Sequence, residues 1–103
     1  MTIWFVSRHA GAQAWAAAQG LLIDQYLAHL DTALIKPDDI VMGNLPVNLA
    51  AHVCSKGARF FNLSMDLPAH WRGRELSCDE LHGCNARLEE FHVAASTSNP
   101  HST

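Results

Sequence analysis

Ile3-Trp4-Phe5-Val6-Ser7-Arg8-His9-Ala10-Gly11-Ala12 decides the fold of this 103-residue chain. Residues 2–6 are β-branched and aromatic, which is the composition of a buried strand. Residues 10–19 are alanine-rich, with Ala14, Ala17, Ala18 and Leu21 at helical spacing and Gly20 as the stop. A strand that ends in a hydroxyl, a guanidinium and an imidazole, and then turns into a helix, is how an open α/β sheet meets a phosphate. The N–H groups at the helix start, the positive end of its dipole and Arg8 all favour an anion there.

The same alternation continues downstream. A second strand is expected over residues 22–27, and Lys36-Pro37-Asp38-Asp39 reads as a turn. Ile40-Val41-Met42 is a short third strand that ends at Gly43-Asn44. Proline disfavours helical geometry in the residue before it, so Leu45 stays outside the next helix and Pro46 takes its first turn. Val47, Ala50, Ala51 and Cys54 form its apolar stripe, and Gly57 closes it. Phe61, Leu63, Met65 and Leu67 alternate with polar residues, the pattern of a fourth, half-buried strand. A donor-rich loop with His70, Trp71, Arg72 and Arg74 follows. Ser77 and Glu80 then form a capping box for a helix whose Leu81, Cys84, Leu88 and Phe91 share one face. From Ala95 the chain is polar and aperiodic, so one domain over residues 1–94 and a disordered tail over 95–103 are expected.

The element order β-α-β-β-α-β-α predicts a small Rossmann-like sheet of about four mainly parallel strands flanked by helices. Ligands of such sheets bind beyond the carboxyl ends of the strands, where strand order reverses. The first and third strands flank that point, which brings Ser7-Arg8-His9 and Gly43-Asn44 together. Arg72 and Arg74 are further candidates for an anionic ligand.

Composition narrows the function classes. Nearly half the residues are apolar (49%), while a net charge of -3 and a pI near 6.1 lack the basic face that double-stranded DNA requires. A small phosphate ligand held by a few local cations remains compatible. No apolar run approaches the ~20 residues of a membrane span, and no basic segment precedes the apolar start, so no membrane insertion or secretion is expected. Cys54, Cys78 and Cys84 are odd in number and irregularly spaced, as reduced cytoplasmic thiols are. Cys78, His82 and Cys84 lack paired metal-ligand spacing, so neither a metal nor a cofactor is expected. Arg8-His9-Ala10-Gly11 departs from the Arg-His-Gly turn of histidine phosphatases by one place, which leaves that chemistry a remote alternative.

Several motifs agree in order and spacing with a known family. They are Phe5-Val6-Ser7-Arg8-His9 with Gly11-Ala12 and Trp15, His29-Leu30-Asp31, Leu45-Pro46-Val47-Asn48-Leu49-Ala50-Ala51, Gly57-Ala58-Arg59, Leu67-Pro68 and Arg72-Gly73-Arg74-Glu75-Leu76-Ser77. The chain resembles the small CRISPR-associated proteins of the Csx series, number sixteen in it, found beside type III systems. The resemblance implies a fold akin to the CARF-type sensors of cyclic oligoadenylates. It also implies a ring nuclease that opens cyclic tetra-adenylate; the ring's rotational symmetry suits a two-fold homodimer, and a ribose 2′-hydroxyl next to the scissile phosphodiester makes a metal unnecessary. Arg8 would neutralise phosphoryl charge, His9 would move protons, and Ser7 and Asn44 would supply neutral hydrogen bonds. A module that sequesters the ring without cutting it is the alternative.

Overall fold

One sheet is built from β1 (Ile3–Val6), β2 (Gln25–Leu27), β3 (Ile40–Gly43), β4 (Arg59–Ser64) and β5 (Arg87–Phe91), in the order β2-β1-β3-β4-β5. The first four run parallel and β5 pairs antiparallel with β4. Three helices, α1 (Ala10–Ala18), α2 (Val47–Ser55) and α3 (Cys78–Gly83), connect and cover it. This computed structural model describes residues 1–96; most of the tail expected to be disordered, 97–103, lies outside the described residues. No helix among the described residues is long and apolar enough to cross a membrane.

The pleat divides the apolar residues between two cores. Phe5, Met42 and Leu63 meet Ala12, Trp15 and Ala16 of α1 and Leu81 of α3 on one face. Val6, Val41 and Phe60 meet Ala50, Val53 and Cys54 of α2, with Ile35, on the other. Strands buried on both faces read as near-continuous apolar runs, which is why β1 and β3 stand out in the sequence. Burying each large side chain contributes ~1.5–3 kcal/mol.

Four local expectations are corrected. The strand expected over 22–27 contracts to β2, because the Asp24 carboxylate accepts the Ile3 N–H at 2.7 Å and turns the chain into the sheet only there. Pro46 is the N-cap of α2 rather than part of its first turn, and Val47 is 74% exposed, so Val53 replaces it on the buried stripe. β4 begins at Arg59 and ends at Ser64, although Phe61, Leu63 and Met65 do face one core as their alternation requires. The last correction is the largest: Leu88 and Phe91 lie on a fifth strand, not on a long helix.

That helix ends at Gly83, and Asn85 takes a positive φ of 55°. The Asp66 N–H then donates to the Cys84 carbonyl at 2.7 Å, while Asn85 and Arg87 donate to the Asp66 carboxylate at 3.1 and 3.2 Å. The chain is thereby turned so that Leu88 stands opposite Leu63 and Phe91 opposite Phe60. A strand here satisfies the free backbone edge of β4; a helix would leave it open.

β1 and β3 are fastened at both ends. At the amino end, Asp39 is almost fully buried, and its carboxylate accepts the Thr2 N–H at 2.9 Å, the Lys36 N–H at 3.0 Å and the Trp4 indole N–H at 3.2 Å. Burial pushes this carboxyl up, but the Thr2, Lys36 and Trp4 donors together hold it below its ordinary value of 3.8. At the carboxyl end, Gly43 has φ 127°, and a Cβ there would lie 2.1 Å from the Val6 carbonyl oxygen. Only glycine permits that approach.

Two outcomes follow from these fastenings. Asp39→Asn turns a donor toward the donors that the second carboxylate oxygen accepted, so it should destabilise the fold by ~1–3 kcal/mol at neutral pH in urea unfolding. Because the folded-state pKa is depressed, the wild-type advantage is complete above the unfolded value of 3.8 and fades as pH falls through the lower folded value. The gap between the two proteins should therefore close in acid. Gly43→Ala should cost more than ~1 kcal/mol by the same assay, since both strain and contact oppose a Cβ.

Candidate functional site

Parallel register assembles the site. Leu27, Val6, Gly43 and Asn62 stand side by side across four strands. The residues that follow them therefore emerge at one edge: Ala28-His29-Leu30, Ser7-Arg8-His9, Asn44-Leu45 and Leu63-Ser64. Ser7, Arg8, His9, His29, Asn44 and Pro46 help line a cleft of about 350 Å³ between the starts of α1 and α2. Two adjoining hollows share Asn44 with it. One, of about 260 Å³, runs past His9 and Arg74 over Leu63 and Met65; the other, an open groove of about 630 Å³, runs past Asn62 and Ser64 to Arg72.

Each polar side chain has a defined employment. Ser7 is buried, and its Oγ accepts the His9 N–H at 3.1 Å, which shapes the turn and leaves the hydroxyl proton free to donate. The Ser7 carbonyl accepts Gln13 Nε2 at 2.9 Å, binding that turn to α1. Asn44 Nδ2 donates to the Leu63 carbonyl at 2.9 Å, tying the end of β3 to β4 and leaving its Oδ1 without a protein partner among the described residues. Gly43 is buried and lines none of these three hollows; its part is to hold β3 against β1.

The cations differ sharply. Arg8 is exposed and has no side-chain partner among the described residues, and the same is true of Arg72. Arg74 is already engaged: it pairs with Glu80, and its guanidinium lies 5.0 Å from the centre of the Trp71 ring. Trp71 thus serves as a platform for Arg74. The helix starts add to the positive character. Neither α1 nor α2 carries an acidic residue in its first turn, whereas α3 carries Asp79 and Glu80. Neither helix thus supplies an acid of its own against the positive end of its dipole where the cleft lies.

One acidic residue does reach this edge, and sequence reasoning missed it. His9 Nδ1 and Glu75 Oε1 are 2.5 Å apart, across 66 positions of chain. The contact exists because α1 starts against the segment before α3: a Cβ on Gly11 would lie 1.8 Å from the Leu76 carbonyl oxygen. Gly11 therefore admits the strand of chain that carries Glu75. The one sequence signal for it was its place between Arg74 and Leu76 in a recurring motif.

The remaining candidates do not converge. Cys54 and Cys84 are buried and Cys78 is partly so, all three as free thiols. Among the described residues no three His, Cys, Asp or Glu side chains gather as a metal site.

Compared with known proteins, residues 4–94 match the family model described as "Putative CRISPR-associated protein (Cas_VVA1548)". Comparison with curated proteins and with solved structures finds no match. The family match runs from the second residue of β1 past the end of β5 and takes in every element of the sheet. The chain belongs to this CRISPR-associated family.

Proposed function

We propose that the protein is a ring nuclease with a Rossmann-like, CARF-type fold, which opens cyclic tetra-adenylate and so ends a type III CRISPR signal. Membership of a CRISPR-associated family supports the setting. The observation that carries the chemistry is Arg8, without a side-chain partner among the described residues, beside His9 at an edge where α1 and α2 both present N-terminal ends with no acidic residue in their first turns. Such an edge favours a phosphodiester over a neutral ligand.

The reaction draws its nucleophile from the substrate. A ribose 2′-hydroxyl adjoins the scissile phosphodiester, so it attacks phosphorus as the bond to the 5′-oxygen breaks. The 2′-hydroxyl gives up a proton, the 5′-oxygen gains one, and the product is a linear oligoadenylate ending in a 2′,3′-cyclic phosphate. The protein must hold three atoms in line, stabilise the equatorial oxygens and move the protons. Arg8 meets the phosphoryl charge, His9 handles a proton, and the Ser7 hydroxyl, the Asn44 amide and the Gly43 backbone shape the phosphate seat. Arg72, at the open groove, would meet a neighbouring phosphate of the ring. Arg74 would reach the ligand only by leaving Glu80.

A cleft of about 350 Å³ suits a single small group, not a four-nucleotide ring. The ring therefore extends along the adjoining hollows or meets a second copy of the site. Its rotational symmetry suits a two-fold homodimer with both Arg8 side chains facing one cavity.

Incubation with cyclic tetra-adenylate in EDTA should yield linear products ending in a 2′,3′-cyclic phosphate. Intact ring recovered in full from a tight complex would instead establish sequestration, and restoration of cleavage only by a divalent ion would replace the 2′-hydroxyl mechanism. Arg8→Ala should slow single-turnover cleavage roughly a hundred- to a thousandfold, the usual loss for a transition-state donor, with a smaller loss in affinity. Normal cleavage at saturation would reduce Arg8 to a binding residue. Light scattering at micromolar concentration should give twice the chain mass; a monomer with and without ligand would rule out the shared cavity.

A further inference from the structure

A carboxylate at an edge otherwise arranged for anions needs an explanation. Glu75 opposes phosphate binding there by simple charge repulsion, so it is not a ligand for the phosphates. Its contact with His9 contributes little to stability either: the two side chains are 51% and 68% exposed, and exposed ion pairs are typically worth ~0–1 kcal/mol. Yet the arrangement is held from three directions. Ser7 Oγ fixes the His9 backbone, the Gly11–Leu76 approach fixes the chain beside Glu75, and the capping box of Ser77 and Glu80 fixes that chain's entry into α3.

We propose that Glu75 is the positioning residue of His9, a role whose catalytic consequence rests on the nuclease reading above. An ionised carboxylate only accepts, so the 2.5 Å contact requires the proton on His9 Nδ1. The neutral ring then carries its lone pair on Nε2, which has no protein partner among the described residues, and His9 borders both the main cleft and the hollow beside Arg74. Glu75 thus selects the tautomer and ring orientation that leave Nε2 free to take the 2′-hydroxyl proton. This is the logic by which an acid orients a catalytic histidine without touching the substrate.

The test has a spectroscopic arm and a kinetic arm. With 15N-labelled histidine in mildly alkaline buffer, where imidazole is neutral, His9 is identified by its loss in His9→Gln. It should report the Nδ1–H tautomer in wild type and in Glu75→Gln, whose amide oxygen still accepts, and shift toward Nε2–H in Glu75→Ala. In single-turnover cleavage, Glu75→Ala should be slower by about ten- to a hundredfold, within the ~10²–10⁴ usually contributed by a general acid or base. Affinity for cyclic tetra-adenylate should stay unchanged or tighten, which a general structural defect would not produce. In a His9→Ala background the Glu75→Ala change should add no further loss, since the two act as one unit. An Nε2–H tautomer in wild type, or equal rate losses in both backgrounds, would overturn the proposal. Failure of the wild type to cleave would sink the nuclease reading instead, and the tautomer measurement then decides by itself whether Glu75 positions His9.

Discussion

Val6 and Gly43 face each other in parallel register, and the Val6 carbonyl oxygen occupies the space in which a side chain at position 43 would begin. That close approach sets where β1 and β3 stop, and hence where Ser7 and Asn44 leave the sheet. The Asn44 amide, reaching the Leu63 carbonyl, extends the alignment one strand further. At the opposite end, Asp39 gathers two backbone N–H groups and an indole, so the central pair of strands has little freedom to slide. The frame of the site is thus built from one backbone-to-backbone approach and from side chains that bind backbone groups of neighbouring segments.

The parts of the fold legible in sequence were those whose burial is local. β1 and β3 are short apolar runs, both buried on two faces, and each is followed at once by a polar corner and a helix start. The capping box of Ser77 and Glu80 was equally plain, because three positions of spacing contain the whole interaction. Leu81, Cys84, Leu88 and Phe91 misled because their spacing suits a helix, while Arg87-Leu88-Glu89 also alternates like a strand. The tie was broken by Asn85 at positive φ and by the open edge of β4, and the second of these is invisible to any local window. Of the site, Ser7, Arg8, His9 and Asn44 were legible from their place after strands. Glu75 was not, because its partner lies 66 positions away and the glycine that admits it looked like an ordinary helix residue.

Charge is distributed with economy around that edge. Acids sit at the start of α3, where they meet the helix dipole and Arg74, and are missing from the starts of α1 and α2. A chain of net charge -3 can thus hold a local positive potential without a basic surface. Arg8 and Arg72 have no side-chain partner among the described residues, while Arg59 and Arg87 are committed to Glu90 and Asp66. The division separates cations that brace the sheet from cations that lie exposed beside the cleft and its groove.

The two margins of the sheet have a bearing on how the protein behaves when crowded. β2 contributes only three residues to one margin. β5 fills the other with charge: Glu90 accepts from Arg59 Nε and Nη2 at 2.7 and 2.9 Å, and Glu89 stands 3.4 Å from Arg87. A brief strand and a charged one are poor templates for a neighbour's backbone. Continuation of the sheet from molecule to molecule, the first step toward fibrous aggregates, is therefore blocked at both sides. A crowded solution of this chain is thereby spared the strand-to-strand pairing from which fibres grow.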